Sequence, residues 1–305
     1  MHCHCQNTKG PGARDGAEWA AMQVYAISDV HADFRDNLRQ LEQLPRHSYG
    51  ADALIVAGDV SHEPEVLRRT FHIFLERFRD VFFVPGNHEL WIREGQHASS
   101  VEKFQEVLRL CESLGVHTGP DVIGSGEGRV CVVPLFSWYT RPGEGSDSLY
   151  RERPIQEPAE SVWADDYLVK WPKTAGFRAV QYFLDLNAER VSAEYPVGNR
   201  ISFSHFLPRQ DLMFAAPGEL RYAAPDPGRA VFNFSTVAGS ALIDEQIRQL
   251  GSRVHVYGHQ HRNRRRLYDG VWYVSNCLGY PEERRGKVIQ DPGEILQAVW
   301  PGEPS

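Results

Sequence analysis

The chain has 305 residues, 42% hydrophobic and 24% charged, and its 33 Lys and Arg against 40 Asp and Glu leave a net charge of −7. These globular values exclude disorder over most of the length and leave ample chain for a buried core. The acidic balance disfavours a general nucleic-acid binder and a polybasic membrane-surface protein, both of which need a basic excess.

Residues 1–21 read as a flexible leader. They are polar, hold Asp15 and Glu18 and have no continuous apolar stretch, so neither a secretory nor an Arg-rich transit peptide is expected. His2-Cys3-His4-Cys5 is read as part of that tail. From residue 22 to 305 a single domain is expected. Val24–Ser28 is a short apolar strand, and Phe34, Leu38, Leu41 and Leu44 trace a helix stopped by Pro45. Ala53–Ala57 is the second strand. Pro64–Arg79 is a helix with Val66, Leu67, Phe71, Phe74, Leu75 and Phe78 on one face and proline in its first turn. Val81–Val84 is a strand closed by Pro85-Gly86, and Val101–Leu114 a helix capped by Gly115.

Arg129–Phe136 is the fourth strand. Residues 137–174 have no clear period and form an excursion at the rim of the fold, followed by a helix at Ala175–Ser192 and a strand at Arg200–Ser204. A second, proline-rich excursion at 206–235 leads to a helix at Val237–Leu250. The remaining strands are Arg253–Tyr257, Arg264–Tyr268, Val271–Ser275 and Ile295–Val299, with Asp269-Gly270 as a hairpin turn. Strand–helix alternation followed by strands means an α/β fold with a mixed sheet or two sheets. No apolar run approaches the ~18 residues of a membrane helix. Five sparse cysteines read as reduced thiols, so a cytoplasmic protein is expected.

The chemistry sits just beyond the strands. The first runs into Asp29-Val30-His31, the second into Gly58-Asp59 and the third into Gly86-Asn87-His88-Glu89. The strand at 200–204 runs into His205, and that at 253–257 into Gly258-His259-Gln260-His261. Ligand sites of α/β folds lie outside the carboxyl ends of strands. Five strand ends delivering Asp, His and Asn to one edge is what a metal centre requires. No cysteine joins the set, so a closed structural zinc site is not expected.

This series, D-x-H, G-D, G-N-H-D/E, a lone H and G-H-x-H, resembles the calcineurin-like metallophosphoesterase superfamily, over about Val24 to Ser275. The resemblance implies an α/β fold of four layers, an αββα sandwich with mixed β-sheets and two metals at one edge. Asp29, His31 and His261 would hold the first metal, and Asn87, His205 and His259 the second, with Asp59 bridging them. The cofactors would be two divalent transition-metal ions, Mn, Fe or Zn, because imidazole with carboxylate suits those metals. His88 would be catalytic, protonating the leaving oxygen or stabilising the phosphoryl charge. Glu89 would bond an imidazole, cap a helix or face solvent. The implied reaction is hydrolysis of a phosphomonoester or small phosphodiester, with a metal-activated hydroxide attacking phosphorus in line.

Departures narrow the subfamily. Gly58-Asp59-Val60-Ser61-His62-Glu63 lacks the Asp and Arg of the Ser/Thr protein-phosphatase motif. His62 replaces the Tyr ligand of purple acid phosphatases, which also lack the histidine present here as His31. Trp138 and Tyr139 are candidates to wall the pocket, and Arg209 to reach a phosphate. Arg262, Arg264, Arg265 and Arg266 read as a charged edge strand or as recruiters of anionic substrate. The expected partner is a small phosphorylated substrate, with no membrane and no nucleic acid. The alternatives are a catalytically silent scaffold for protein partners and a nuclease. Substrate-binding residues and oligomeric state are left open.

Overall fold

The computed structural model describes residues 22–93, 95, 97–153, 162–215, 231–286, 289 and 295–301. The leader with its His and Cys residues lies outside them. The first sheet holds three parallel neighbours, β1 (Val24–Ile27), β2 (Ala53–Ala57) and β3 (Asp80–Val84), with β10 (Gln297–Trp300) antiparallel along β1. The second sheet is ordered β4 (Asp121–Ile123), β5 (Val130–Pro134), β6 (Arg200–Phe203), β7 (Val254–Tyr257), β9 (Val271–Ser275), β8 (Arg264–Tyr268). Its four inner strands run parallel, and β4 and β8 close the edges antiparallel.

Side-chain alternation explains why the sheets stack. Along β2, Ala53, Ile55 and Ala57 face the core between the sheets, whereas Leu54 and Val56 face the opposite way. Along β3, Phe82 and Val84 face inward and Val81 and Phe83 outward. A strand apolar on both faces must be covered twice. The outward set packs under α1 (Arg35–Glu42), α2 (Pro64–Leu75) and α3 (Ser100–Leu114) through Leu41, Leu67, Phe71 and Val107. The second sheet is covered likewise by α5 (Ala179–Ser192) and α6 (Ala241–Leu250), through Phe183, Val191, Ile243 and Ile247. The result is the four-layer αββα arrangement.

Differences from the sequence reading have local causes. The helix expected from Ala175 starts at Ala179, because Gly176 turns left-handed at φ 77°. The helix expected from Val237 starts at Ala241. The Ser240 hydroxyl caps it, and Gly239 presses against the Leu207 carbonyl, leaving no room for a side chain. Two helices of one turn or slightly more, α4 (Asp165–Leu168) and α7 (Pro281–Arg285), and the three-residue β4 are too short to leave a periodic signal. Asp269 and Gly270 both have positive φ, as the predicted two-residue hairpin turn demands. Among the described residues no helix is long and apolar enough to cross a membrane.

Phe82 is fully buried between the sheets and stacks on His117 at 4.7 Å. Phe82→Ala is expected to cost about 3–5 kcal/mol in urea unfolding, since the cavity would lie between two rigid sheets.

Candidate metal centre

Parallel pairing brings the carboxyl ends of β1, β2 and β3 to one edge, and β2 meets β7 across the interface between the sheets. The segments leaving these strands turn sharply. Asp29, His31, Asp59, His259 and His261 all have left-handed φ, between 44° and 73°; the only other such non-glycine among the described residues is Asp269 of the hairpin turn. That conformation costs a side-chain-bearing residue roughly 1–2 kcal/mol. It aims each donor atom back toward the strand ends.

Hydrogen bonds hold the turns in place. The Asp29 amide donates to Gly58 O at 3.0 Å and the His31 amide to Asp59 O at 2.9 Å. Asp29 Oδ1 accepts from the His259 amide at 2.8 Å, and Asp59 Oδ1 from the His88 amide at 3.0 Å. A Cβ on Gly58 would lie 2.5 Å from His205 Nδ1, and one on Gly86 would collide with Asp59 Oδ1. The glycines of these two motifs are therefore required by the close approach of the His205 and Asp59 side chains.

Glu89 does none of the things the sequence suggested. It is fully buried, and its Oε1 accepts from the amides of Val60 and Ser61 at 2.7 and 2.9 Å. Oε2 accepts from Asp59 and Gly86 at 3.0 and 2.7 Å. One carboxylate thus ties the loop after β2 to the turn after β3. Burial and the Asp59 charge push its carboxyl up to about 7, against the pull of those amides.

The imidazoles are fixed from behind. His205 Nδ1 donates to Ala57 O at 2.9 Å and His259 Nε2 to Val237 O at 3.1 Å, while His261 Nδ1 faces Glu283 Oε2 at 2.6 Å. Each ring therefore presents its remaining nitrogen inward. His31 Nε2 and His261 Nε2 stand 3.0 Å apart, and His205 Nε2 and His259 Nδ1 3.2 Å apart. Asp29 Oδ1 is 3.4 Å from His261 Nε2, and Asp59 Oδ2 is 3.3 Å from His205 Nε2. Asn87 Oδ1 lies 3.3 Å from the same His205 nitrogen.

His205 and His259 donate their other N–H to carbonyls, so their facing nitrogens carry lone pairs that repel unless a positive charge lies between them. Burial works against that charge, yet Asp59 and Asp29 push His205 up to about 9, and Asp29 and Glu283 push His261 up to about 10. Burial holds their neighbours His31 and His259 well below the ordinary imidazole range. In each pair one imidazole is thus favoured in its charged form and the other in its neutral form. Donors come within 4.8 Å of one another in three groups: Asp29, His31 and His261; Asp59, His205 and His259; and His31, Asp59 and His88. This buried nitrogen and oxygen set fits transition-metal ions.

The seven residues named from the motifs meet at one edge, with His88 beside them. The His88 ring is 4.6 Å from His31 and 3.7 Å from Trp91, which lies over it at 30°. Two acids that no motif flagged also belong to the site: Glu283 of α7, behind His261, and Asp165 of α4, which accepts from Asn87 Nδ2 at 3.0 Å. Tyr280 packs on both His31 and His261.

Other candidates stand elsewhere. Arg209 is held by Asp211 and Asp244 and lies over the rings of Tyr268 and Tyr273. Arg264 and Arg266 donate to backbone carbonyls of Leu212, Asp211 and Phe214, so the arginine run fastens the second excursion to β8. Trp138 and Tyr139 are buried and line a cavity of about 470 Å³ with Trp171, Phe177 and Arg178, on the far side of Asp165. His62 pairs with Asp33 and Glu63 outside the three donor groups.

The chain matches the calcineurin-like phosphoesterase family over residues 22–263. It is 29% identical to the acyl-carrier-protein phosphodiesterase PptH of Mycobacterium tuberculosis, over 96% of this chain and 87% of that protein. It also superimposes on the crystal structure of the phosphopantetheinyl hydrolase PptH from Mycobacterium tuberculosis with a TM-score of 0.70 at 24% identity, covering 93% of this chain and 97% of that one. The chain belongs to the calcineurin-like phosphoesterase family and is a metal-dependent hydrolase of phosphoric esters.

Glu89→Gln would turn an amide NH2 toward two backbone donors. It is expected to cost about 1–3 kcal/mol for each amide left unpaired, seen as a lower urea midpoint at unchanged m-value.

Proposed function

We propose that this calcineurin-like phosphoesterase cleaves a phosphodiester, and that its substrate is the phosphopantetheinyl group on an acyl carrier protein. The observation that carries this reading is the relative named an acyl-carrier-protein phosphodiesterase, matched over nearly the whole of both chains. We assign Asp29, His31 and His261 to a first divalent cation, Asn87, His205 and His259 to a second, and Asp59 to the bridge between them. Mn, Fe or Zn suits this set. Donor side chains at all seven positions favour an enzyme over a silent scaffold. Cys111, Cys131 and Cys277 are buried thiols, which fits a cytoplasmic site of action.

Two bound divalent cations supply a nucleophilic water at neutral pH and neutralise charge on the phosphoryl oxygens. The protein's own groups do the rest. Asp59, with one oxygen held by the His88 amide, leaves Oδ2 facing His205. His88 Nε2 stands 3.8 Å from that same oxygen, and Trp91 holds the ring from the side. When the P–O bond to the carrier protein breaks, the departing alkoxide needs a proton. His88 is placed to give it, a contribution of about 10²–10⁴-fold for a positioned acid. Trp91, Trp163 and Tyr280 surround the centre with rings, which suits a slender, uncharged arm better than a second anionic group.

The test is incubation of the Mn-loaded protein with phosphopantetheinylated carrier protein, followed by mass spectrometry of the intact carrier. Wild type is expected to remove the arm. Asp59→Asn and His88→Ala are expected to slow removal by at least about tenfold. Wild-type turnover in metal-loaded Asp59→Asn would sink the site assignment. Turnover of phosphomonoesters with an untouched carrier protein would sink the substrate. A chelator is expected to abolish activity and added Mn to restore it.

A further inference from the structure

Asp165 opens α4 inside the long excursion and is only 4% exposed. Four side-chain donors converge on its carboxylate. Oδ1 accepts from Asn87 Nδ2 at 3.0 Å and Trp91 Nε1 at 2.6 Å. Oδ2 accepts from Trp163 Nε1 at 2.9 Å and the Tyr139 hydroxyl at 3.1 Å. An indole N–H only donates, so each oxygen of residue 165 faces an obligatory donor. A carboxylate satisfies both sides; a side-chain amide satisfies one. The partners reach the rest of the centre: Asn87 Oδ1 approaches His205, the Trp91 ring lies against His88, and Trp163 meets His259 edge-on at 5.7 Å.

We propose that Asp165 is a positioning residue for the second cation: by accepting the Asn87 Nδ2 hydrogen it fixes that amide with its oxygen toward His205. The two ends of an amide have nearly the same shape. Without an acceptor behind Nδ2, a flip would aim N–H at the cation site at little steric cost. The dependence is one-sided. In the first group, Asp29 is held by Ser28 and the His259 amide and His261 by Glu283, none of them on the excursion. The seating of residues 162–168 therefore completes one cation site and leaves the other as it is. Partners of this kind are worth about 10- to 100-fold in metal affinity.

This inference rests on Asn87, His205 and His259 as the second ligand set, so its test counts cations and does not use substrate. Apo wild type and Asp165→Ala, which leaves no acceptor behind Asn87, are titrated with Mn²⁺ by calorimetry, and the loaded forms are compared by electron paramagnetic resonance. Wild type is expected to bind two Mn²⁺ with a coupled dinuclear spectrum. Asp165→Ala is expected to keep the tighter ion unchanged and to bind the other about 10- to 100-fold more weakly, with a mononuclear spectrum at limiting Mn²⁺. The double variant Asn87→Asp with Asp165→Asn exchanges donor and acceptor, and is expected to hold the second ion in part. It carries the test if the single variant does not fold. Asp165→Ala with both ions at wild-type affinity would overturn the proposal. So would an equal loss of both ions alongside a lower Tm, or a double variant that binds no second ion. Wild type holding fewer than two Mn²⁺ would instead overturn the two-cation reading beneath it.

Discussion

Bringing seven donor side chains into a dry space at the edge of two sheets is the constraint on which the rest of this molecule depends. Buried carboxylates repel one another, as do facing imidazole lone pairs, and all of them lose their hydration. The chain meets this by fixing each donor from outside the cluster. Ala57 and Val237 offer carbonyls to imidazole N–H groups, Glu283 offers a carboxylate, and Ser28 donates to Asp29. Five left-handed backbone positions add strain of roughly 1–2 kcal/mol each, offset by the amide bonds that Asp29, Asp59 and Glu89 accept.

The sheets supply the rigidity this requires. Parallel pairing fixes the heights of the strand ends relative to one another, and apolar residues on both faces of β2 and β3 lock the first sheet between the helices and the second sheet. The chain after β9 then crosses from one sheet to the other. Ser28 donates to Asn276 O, the Leu278 amide returns to Ser28 O, and the Asn276 side chain donates to Ala26 O. This crossing delivers Tyr280 and Glu283 to His31 and His261, so the sheet-to-sheet joint and the donor edge are one structure.

The excursions behave as walls fastened to each other and to the sheet. Trp163 stacks on Phe232 at 5.3 Å, Asn233 and Ser235 bond Arg151, and Arg264 and Arg266 tie the 210–214 segment to β8. Their rings surround His259: Phe206, Phe234 and Trp163 lie within 5.7 Å of it. Residues that read as solvated charge in the sequence are thus spent on positioning the walls of the centre.

The α/β class, the main helices and strands to within a few residues, and the Asp, His and Asn side chains that meet at the strand ends were legible in the sequence. Each of those is local: apolar period, a cap or breaker, and a short motif directly after a strand. Gly58 and Gly86 stood out in those motifs, and their reason is that the His205 and Asp59 side chains occupy the space a Cβ would need. Which groups hold the donors in place is set by contacts between distant parts of the chain. Asp165 is 78 residues from Asn87, and Glu283 is 22 from His261. Neither lies in a motif, and a single Asp or Glu in an aperiodic stretch looks like surface charge until folding buries it. Glu89 sits inside a motif, yet its four amide partners come from two separate turns. Side-chain type and spacing report what a residue can bind. Its actual partner is set by long-range packing, which leaves no periodic trace in one chain.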